Sequence, residues 1–168
     1  MTQKTQSYSQ TTDTPALVLE GGGFRGMFTS GVLDVLMERG LTGFSSVWGV
    51  SAGAMNAVSF KSGQIGRTMR IMLAYRDDKR FMSYLSFAKT GDIAGGEFVY
   101  ETVQEELDPC DNDAFEENPM PMYAVVSNVT FGTPDYLRIR KLPEDAVKVR
   151  ASASLPGVSR TLLIDGQR

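Results

Sequence analysis

Short apolar runs alternate with amphipathic stretches along this chain, and their order predicts an α/β domain. Ala16 to Glu20 is an apolar run of strand length, closed by the glycine turn Gly21 to Gly26. From Met27 onward Val32, Val35, Leu36 and Arg39 recur at helical spacing, so a helix is expected there with these apolar positions in the core, ended by Arg39 and a glycine cap at Gly40. Val47 to Val50, flanked by Gly43 and Gly49, reads as a short buried parallel strand, and the small residues from Ala52 to Phe60 read as a second helix. Thr68, Met69, Met72 and Tyr75 predict an amphipathic helix over Arg67 to Tyr75, and Phe98 to Leu107 predicts another, stopped by Asp108-Pro109. Met122 to Val129 is a central strand by its continuous apolar run; turn residues from Thr130 to Pro134 join it to Tyr136 to Arg140, whose alternation marks the antiparallel margin of the sheet. Glu144 to Ser152 completes the helices, with small residues Ala151 to Ser154 suited to close packing, and Thr161 to Ile164 is the last expected strand. Met1 to Thr14 is polar and almost without apolar anchors, so residues 1–14 are expected to be a disordered lead to one domain over 15–168.

Two of the strand-to-helix junctions carry chemistry. Gly49-Val50-Ser51-Ala52-Gly53 is a G-x-S-x-G elbow between a strand and a helix, the setting that lifts a serine onto a tight turn. Glycine is needed two positions either side because a Cβ there would clash, and a helix N-terminus beside Ser51 would favour developing negative charge. Gly21-Gly22-Gly23-Phe24-Arg25-Gly26, after the first strand, exposes main-chain N–H groups that with the N–H of Ala52 could form an oxyanion hole.

Residues Glu20 to Gly26 and Gly49 to Gly53 together resemble the patatin-like phospholipases, whose pattern is G-G-G-x-R/K-G followed by G-x-S-x-G. The likeness continues through Gly91-Asp92-Ile93, Gly95-Gly96-Glu97-Phe98, the strand around Val125 to Val129 and Ala151 to Pro156. It implies a three-layer α/β/α sandwich with a mainly parallel central sheet, a lipid acyl hydrolase activity on carboxylic esters, and a Ser-Asp dyad. By the same resemblance Ser51 is the nucleophile, Gly49 and Gly53 frame the elbow, and Gly21, Gly22, Gly23, Arg25 and Gly26 form the oxyanion loop. The family's aspartate stands in an Asp-Gly-Gly or Asp-Gly-Ala motif, whereas this chain reads Leu163-Ile164-Asp165-Gly166-Gln167-Arg168. Asp-Gly after an apolar run is the signal of a two-residue hairpin turn, so Asp165 is expected to be a turn residue and the catalytic aspartate to fall on a return strand past Arg168, leaving the domain C-terminally incomplete.

Composition narrows the mechanism. The chain has 168 residues, 42% of them hydrophobic, and contains no histidine, which excludes a Ser-His-Asp triad within it. A carboxylate, a lysine or a group from another chain remains as base, and the first matches the dyad. A net charge of −3 with no basic run gives no footprint for nucleic acid, and the expected partner is a lipid or ester, with peripheral contact to a membrane surface. Arg67, Arg70, Arg76, Lys79 and Arg80 fit either an anionic lipid contact or a solvated helix face, and ordinary surface composition favours the second. Phe81 to Phe87, with Met69, Met72 and Met82, reads either as core or as the wall of an acyl groove. The acidic segment Asp108 to Glu117 lacks the EF-hand glycine and is expected to be a surface loop without metal, and no cofactor is implied. The absence of a signal-like or membrane-length apolar run and the single Cys110 point to the cytoplasm. From another class, Gly21-x-Gly23-x-x-Gly26 also fits a dinucleotide-binding turn, but that reading wants an acidic residue at the end of the second strand. A non-catalytic remnant of the family is the remaining alternative.

Overall fold

The computed structural model describes residues 14–81, 98–157 and 159–167; residues 1–13 of the expected lead, most of the Phe81 to Phe87 stretch and the Gly91 to Glu97 loop lie outside them. Four strands, β1 (Leu17–Leu19), β2 (Val47–Val50), β3 (Met122–Asn128) and β4 (Thr133–Ile139), form one sheet in the order β1-β2-β3-β4. The first two pairings are parallel, with Leu17 opposite Val47 and Val47 opposite Met122, and β3 pairs antiparallel with β4, with Met122 opposite Ile139. This is the mainly parallel α/β arrangement expected, with the antiparallel strand at the margin. Pro134, expected in the turn, lies inside β4, where an edge strand can do without its missing N–H.

The helices are α1 (Gly26–Glu38), α2 (Ala52–Lys61), α3 (Arg67–Tyr75), a π-wound α4 (Phe98–Leu107), α5 (Asn112–Glu117) and α6 (Ala146–Ser152). All of them contribute to one core against a single face of the sheet, where Leu19, Val47, Met122, Ala124 and Ile139 meet Leu33, Phe60, Ile71, Val103, Phe115 and Val149. On the opposite face Val18, Val50 and Tyr136 are exposed and Trp48 stacks on Tyr123 at 4.1 Å. The described residues therefore supply the sheet and one helical layer of the expected sandwich.

Several expectations need correction. Val32 and Val35 are not core: they are 45% and 50% exposed, because α1 packs on α2 and α3 through Gly26, Ser30 and Leu33 instead. The glycine cap of α1 stands as expected, with Leu41 N–H on the Leu36 carbonyl at 2.8 Å and Gly40 N–H on that of Met37 at 3.0 Å. Thr161 to Leu163 form no strand; only Ile164 bridges to Gln167. The last helix starts at Ala146, not Glu144, since Asp145 turns back to receive the N–H groups of Arg140 (2.7 Å) and Lys141 (3.2 Å). The acidic segment is no plain surface loop: Asp111 caps α5 through Ala114 N–H at 3.0 Å, and Asp108 holds two arginines. Arg67, expected on a solvated face, is 1% exposed, paired with Asp108 at 3.5 Å and bonded to Gln104 at 2.7 Å. Arg70, Arg76 and Arg80 pair with Asp108, Asp77 and Asp78, so these charges are largely met within the chain.

Asp145 fixes the approach of α6 and is a test of that packing. Burial alone would raise its carboxyl pKa, but the bonds from Lys148 and from the N–H groups of Arg140 and Lys141 outweigh this and hold it below the ordinary value of 3.8. A depressed carboxyl adds stability that is present above its unfolded pKa and is lost as the pH falls through the folded one. Asp145→Asn is expected to lower the unfolding free energy by about 1 kcal/mol at pH 7, with the gap to the wild type closing below about pH 4, as read by urea titrations across that range.

Candidate active site

The site begins with steric necessity at the end of β2. Ser51 has φ 51° and ψ −120°, a conformation that a residue with a side chain adopts at a cost of about 1–3 kcal/mol. The neighbouring backbone holds it there. A methyl group on Gly49 would lie 2.5 Å from both N and Cα of Ala54, and one on Gly53 would lie 2.4 Å from the Leu19 carbonyl oxygen. Helix α2 thus starts directly above the strand it follows, and the chain must turn sharply at Ser51 to enter it. Such a sharp strand-to-helix turn is what a nucleophile elbow requires.

The first glycine turn packs onto the second. A methyl on Gly21 would lie 3.2 Å from Ser51 Cβ, and one on Gly26 would lie 3.0 Å from Ala52 Cβ. Between them the chain makes a short 3₁₀ turn at Gly23–Arg25, closed by Arg25 N–H on the Gly22 carbonyl at 3.1 Å, and the Arg25 side chain folds over Gly22. The structure thereby brings together Gly21, Gly22, Gly23, Arg25, Gly26, Gly49, Ser51, Ala52 and Gly53. Among the described residues nothing accepts a hydrogen bond from the N–H of Gly21 or Gly22, and the first N–H groups of α2 have no acceptor within their helix. Free donors and the positive end of α2 therefore surround a half-buried serine whose Oγ is bonded to no described residue.

Two side chains outside the motifs complete this arrangement. Asn56 Nδ2, fully buried on α2, donates to the Gly26 carbonyl at 2.9 Å and so ties α1 to α2 where the first turn ends. Ser152 Oγ, on α6, accepts the main-chain N–H of Ser51 at 2.8 Å and donates to the Val125 carbonyl at 2.7 Å. The small-residue run predicted close packing of α6; neither bond had a signal of its own in the sequence. Beside Ser152 and Val125, a cavity of about 350 Å³ opens between α6, the β3–β4 hairpin and the last turn, lined by Val126, Leu137, Ala151, Leu155, Leu162 and Ile164 among others.

The other titratable candidates are engaged elsewhere. Lys61 is the last residue of the ten-residue α2, about 15 Å along the helix from its start. Burial lowers its pKa, its Nζ donates to the Asn118 carbonyl, and it sits 4.7 Å from the centre of the Phe115 ring. The Cys110 thiol is pushed up by burial and is no activated nucleophile. Asp165 and Gly166 have φ 50° and 78°, and Ile164 and Gln167 exchange two main-chain bonds of 2.9 Å, which makes Asp165 the first central residue of a two-residue hairpin turn, as the Asp-Gly pair predicts. Met72 and Phe81 are buried, Met72 also lining a small cavity with Gly26, Ala52 and Asn56, and Met82 to Phe87 lie outside the described residues.

A family model described as patatin-like phospholipase matches residues 17–168, nearly all of the chain from β1 onward. The chain belongs to the patatin-like phospholipase family. It is similar to the uncharacterized protein YjjU of Escherichia coli strain K12, with 30% identity over 149 residues, which cover 87% of this chain and 41% of that relative. The chain thus spans less than half the length of that relative. The end of β2 offers Val50-Ser51 where a nucleotide-binding unit wants a carboxylate. Among the described residues no helix is long and apolar enough to cross a membrane.

The steric reading of the elbow can be checked without any substrate. Gly49→Ala and Gly53→Ala are each expected to lower the unfolding free energy by more than about 3 kcal/mol, since their methyls meet main-chain atoms that cannot step aside. Gly43→Ala, with open space around it, should change stability by less than about 1 kcal/mol. Urea denaturation of the three variants reads the difference.

Proposed function

We propose that this protein is a serine lipid acyl hydrolase in which Ser51 attacks the ester carbonyl. The observation that carries the reading is the positive φ of Ser51 at the start of α2, with the first glycine turn packed against it. In the reaction the Ser51 Oγ forms a bond to the carbonyl carbon while its proton leaves to a base. The N–H groups of the Gly21–Gly23 turn and of Ala52 stabilise the oxyanion, each such donor being worth about 3–4 kcal/mol of barrier. The alcohol departs, and water releases the acyl group from Ser51.

Without histidine, the base in this reading is a carboxylate, whose unperturbed pKa near 4 makes close contact and desolvation necessary. It is a carboxylate other than Asp165, which occupies the hairpin turn and makes no bond to Ser51. The cavity that begins one residue from both Val125 and Ser152 has an apolar part, at Val126, Leu137, Leu155 and Leu162, that offers a wall for an acyl chain, and a polar part that includes Asp135 and Arg160. A lipid surface is the natural source of substrate. On α1, which leads directly out of the glycine turn, Phe28 is 81% exposed and lies in one stripe with Val32 and Val35. Such a stripe suits shallow contact with a bilayer.

Hydrolysis of p-nitrophenyl esters by the full-length protein tests the chemistry. Ser51→Ala is expected to lower kcat by at least about 10³-fold, and Asp165→Asn to keep it within about threefold. Equal activity of Ser51→Ala and wild type would remove the hydrolase reading and favour a non-catalytic member of the family. With phospholipid vesicles as substrate, Phe28→Ser should reduce the rate by about tenfold or more while leaving soluble-ester hydrolysis unchanged; equal effects on both substrates would contradict surface contact.

A further inference from the structure

The ladder between β2 and β3 is broken in a specific way at the elbow. Val47 donates its N–H to the Pro121 carbonyl at 2.9 Å, and the register sets Val47 opposite Met122 and Val50 opposite Val125. In a parallel pair such donors recur at every second residue, so the next ones are Gly49, toward the Tyr123 carbonyl, and Ser51, toward that of Val125. At the last of these positions the direct bond is replaced. The Ser51 N–H meets Ser152 Oγ at 2.8 Å, and the same hydroxyl continues to the Val125 carbonyl at 2.7 Å. Donor and acceptor are the pair that an unbroken ladder would join, and one side chain from α6, 101 positions away, has been inserted between them.

We propose that Ser152 is a positioning residue of the candidate nucleophile, its hydroxyl standing in for one rung of the β2–β3 ladder and so fixing the main chain of Ser51. The proposal rests on Ser51 being the nucleophile for its catalytic consequence, but not for its structural content. A hydroxyl suits the place because it can accept and donate at once, which no apolar side chain can do. A direct N–H to carbonyl bond would keep β2 in line with β3 at Ser51. Inserting an oxygen lets the two chains part there while both polar groups remain satisfied, and parting is what the turn into α2 at φ 51° requires. The bridge anchors the Val50–Ser51 peptide, the unit next to the one that carries the Ala52 N–H, the second candidate oxyanion donor. Ser152 itself is anchored by the packing of α6, through the buried Val149, and by Asp145 at its start.

The test combines kinetics with amide exchange in the same protein. In the wild type the Ser51 amide should exchange at least about tenfold more slowly than the exposed Gly23 amide, and in Ser152→Ala it should lose most of that protection. Ser152→Ala should lower kcat for p-nitrophenyl esters by about ten- to a hundredfold with KM within about twofold, and Ser152→Thr, which keeps a hydroxyl, should restore kcat to within about threefold of wild type. A Ser51 amide that exchanges freely in the wild type overturns the proposal even where no variant folds. So does a Ser152→Ala protein with unchanged kcat, or a Ser152→Thr protein no better than Ser152→Ala. If the full-length wild type hydrolyses no ester, the hydrolase reading fails, and the exchange of the Ser51 amide still decides the role of Ser152.

Discussion

The backbone of Ser51 is the constraint from which the rest of the site follows. A strand that must enter a helix lying directly over it has room for only one path, and that path puts a residue with a side chain at positive φ. Gly49 and Gly53 make the path available by having no Cβ where Ala54 and Leu19 pass. The strained residue persists because its surroundings over-determine it: α2 is buried from Ala52 to Lys61, apart from half-buried Met55, and the Ser51 N–H is held from α6. Local strain is thus maintained by packing at both ends of the turn. The same constraint leaves the N–H groups of Ala52 and Gly53 without an acceptor among the described residues, beside the serine, so steric need and electrostatic capacity arise from one feature.

The first glycine turn is dependent on the second. Gly21 and Gly26 lie so close to Ser51 and Ala52 that an added methyl would come within 3.2 and 3.0 Å of their Cβ atoms, and Asn56 secures the far end of the turn by its bond to the Gly26 carbonyl. Parallel pairing of β1 with β2, Leu19 opposite Gly49, brings the two turns to the same edge of the sheet. Ligands of open parallel sheets gather at that carboxyl edge. The pairing of two glycine turns is therefore a consequence of topology as well as of sequence.

Features that depend on local sterics were legible in the chain. The elbow, the first turn, the glycine cap at Gly40 and the Asp165-Gly166 hairpin are each dictated by residues within a few positions of one another. Features set by tertiary partners were not. Val32 and Val35 have helical spacing but face outward, because α1 uses its small residues Gly26 and Ser30 to approach α2, and periodicity alone does not say which stripe is buried. Arg67 looks like one more surface charge until Asp108, Gln104 and Ser59 are placed around it. The bonds of Ser152 and Asn56 join residues about 100 and 30 positions apart, distances over which a single sequence gives no register.

The central claim is that Ser51, and no other hydroxyl of the chain, is the reactive nucleophile. Its most direct test is to treat the protein with a fluorophosphonate and locate the adduct by peptide mass spectrometry. The account predicts one adduct, on the peptide containing Ser51, absent from Ser51→Ala and absent after unfolding in urea before treatment. An adduct on a different residue, or a native protein that takes up no reagent, would contradict it.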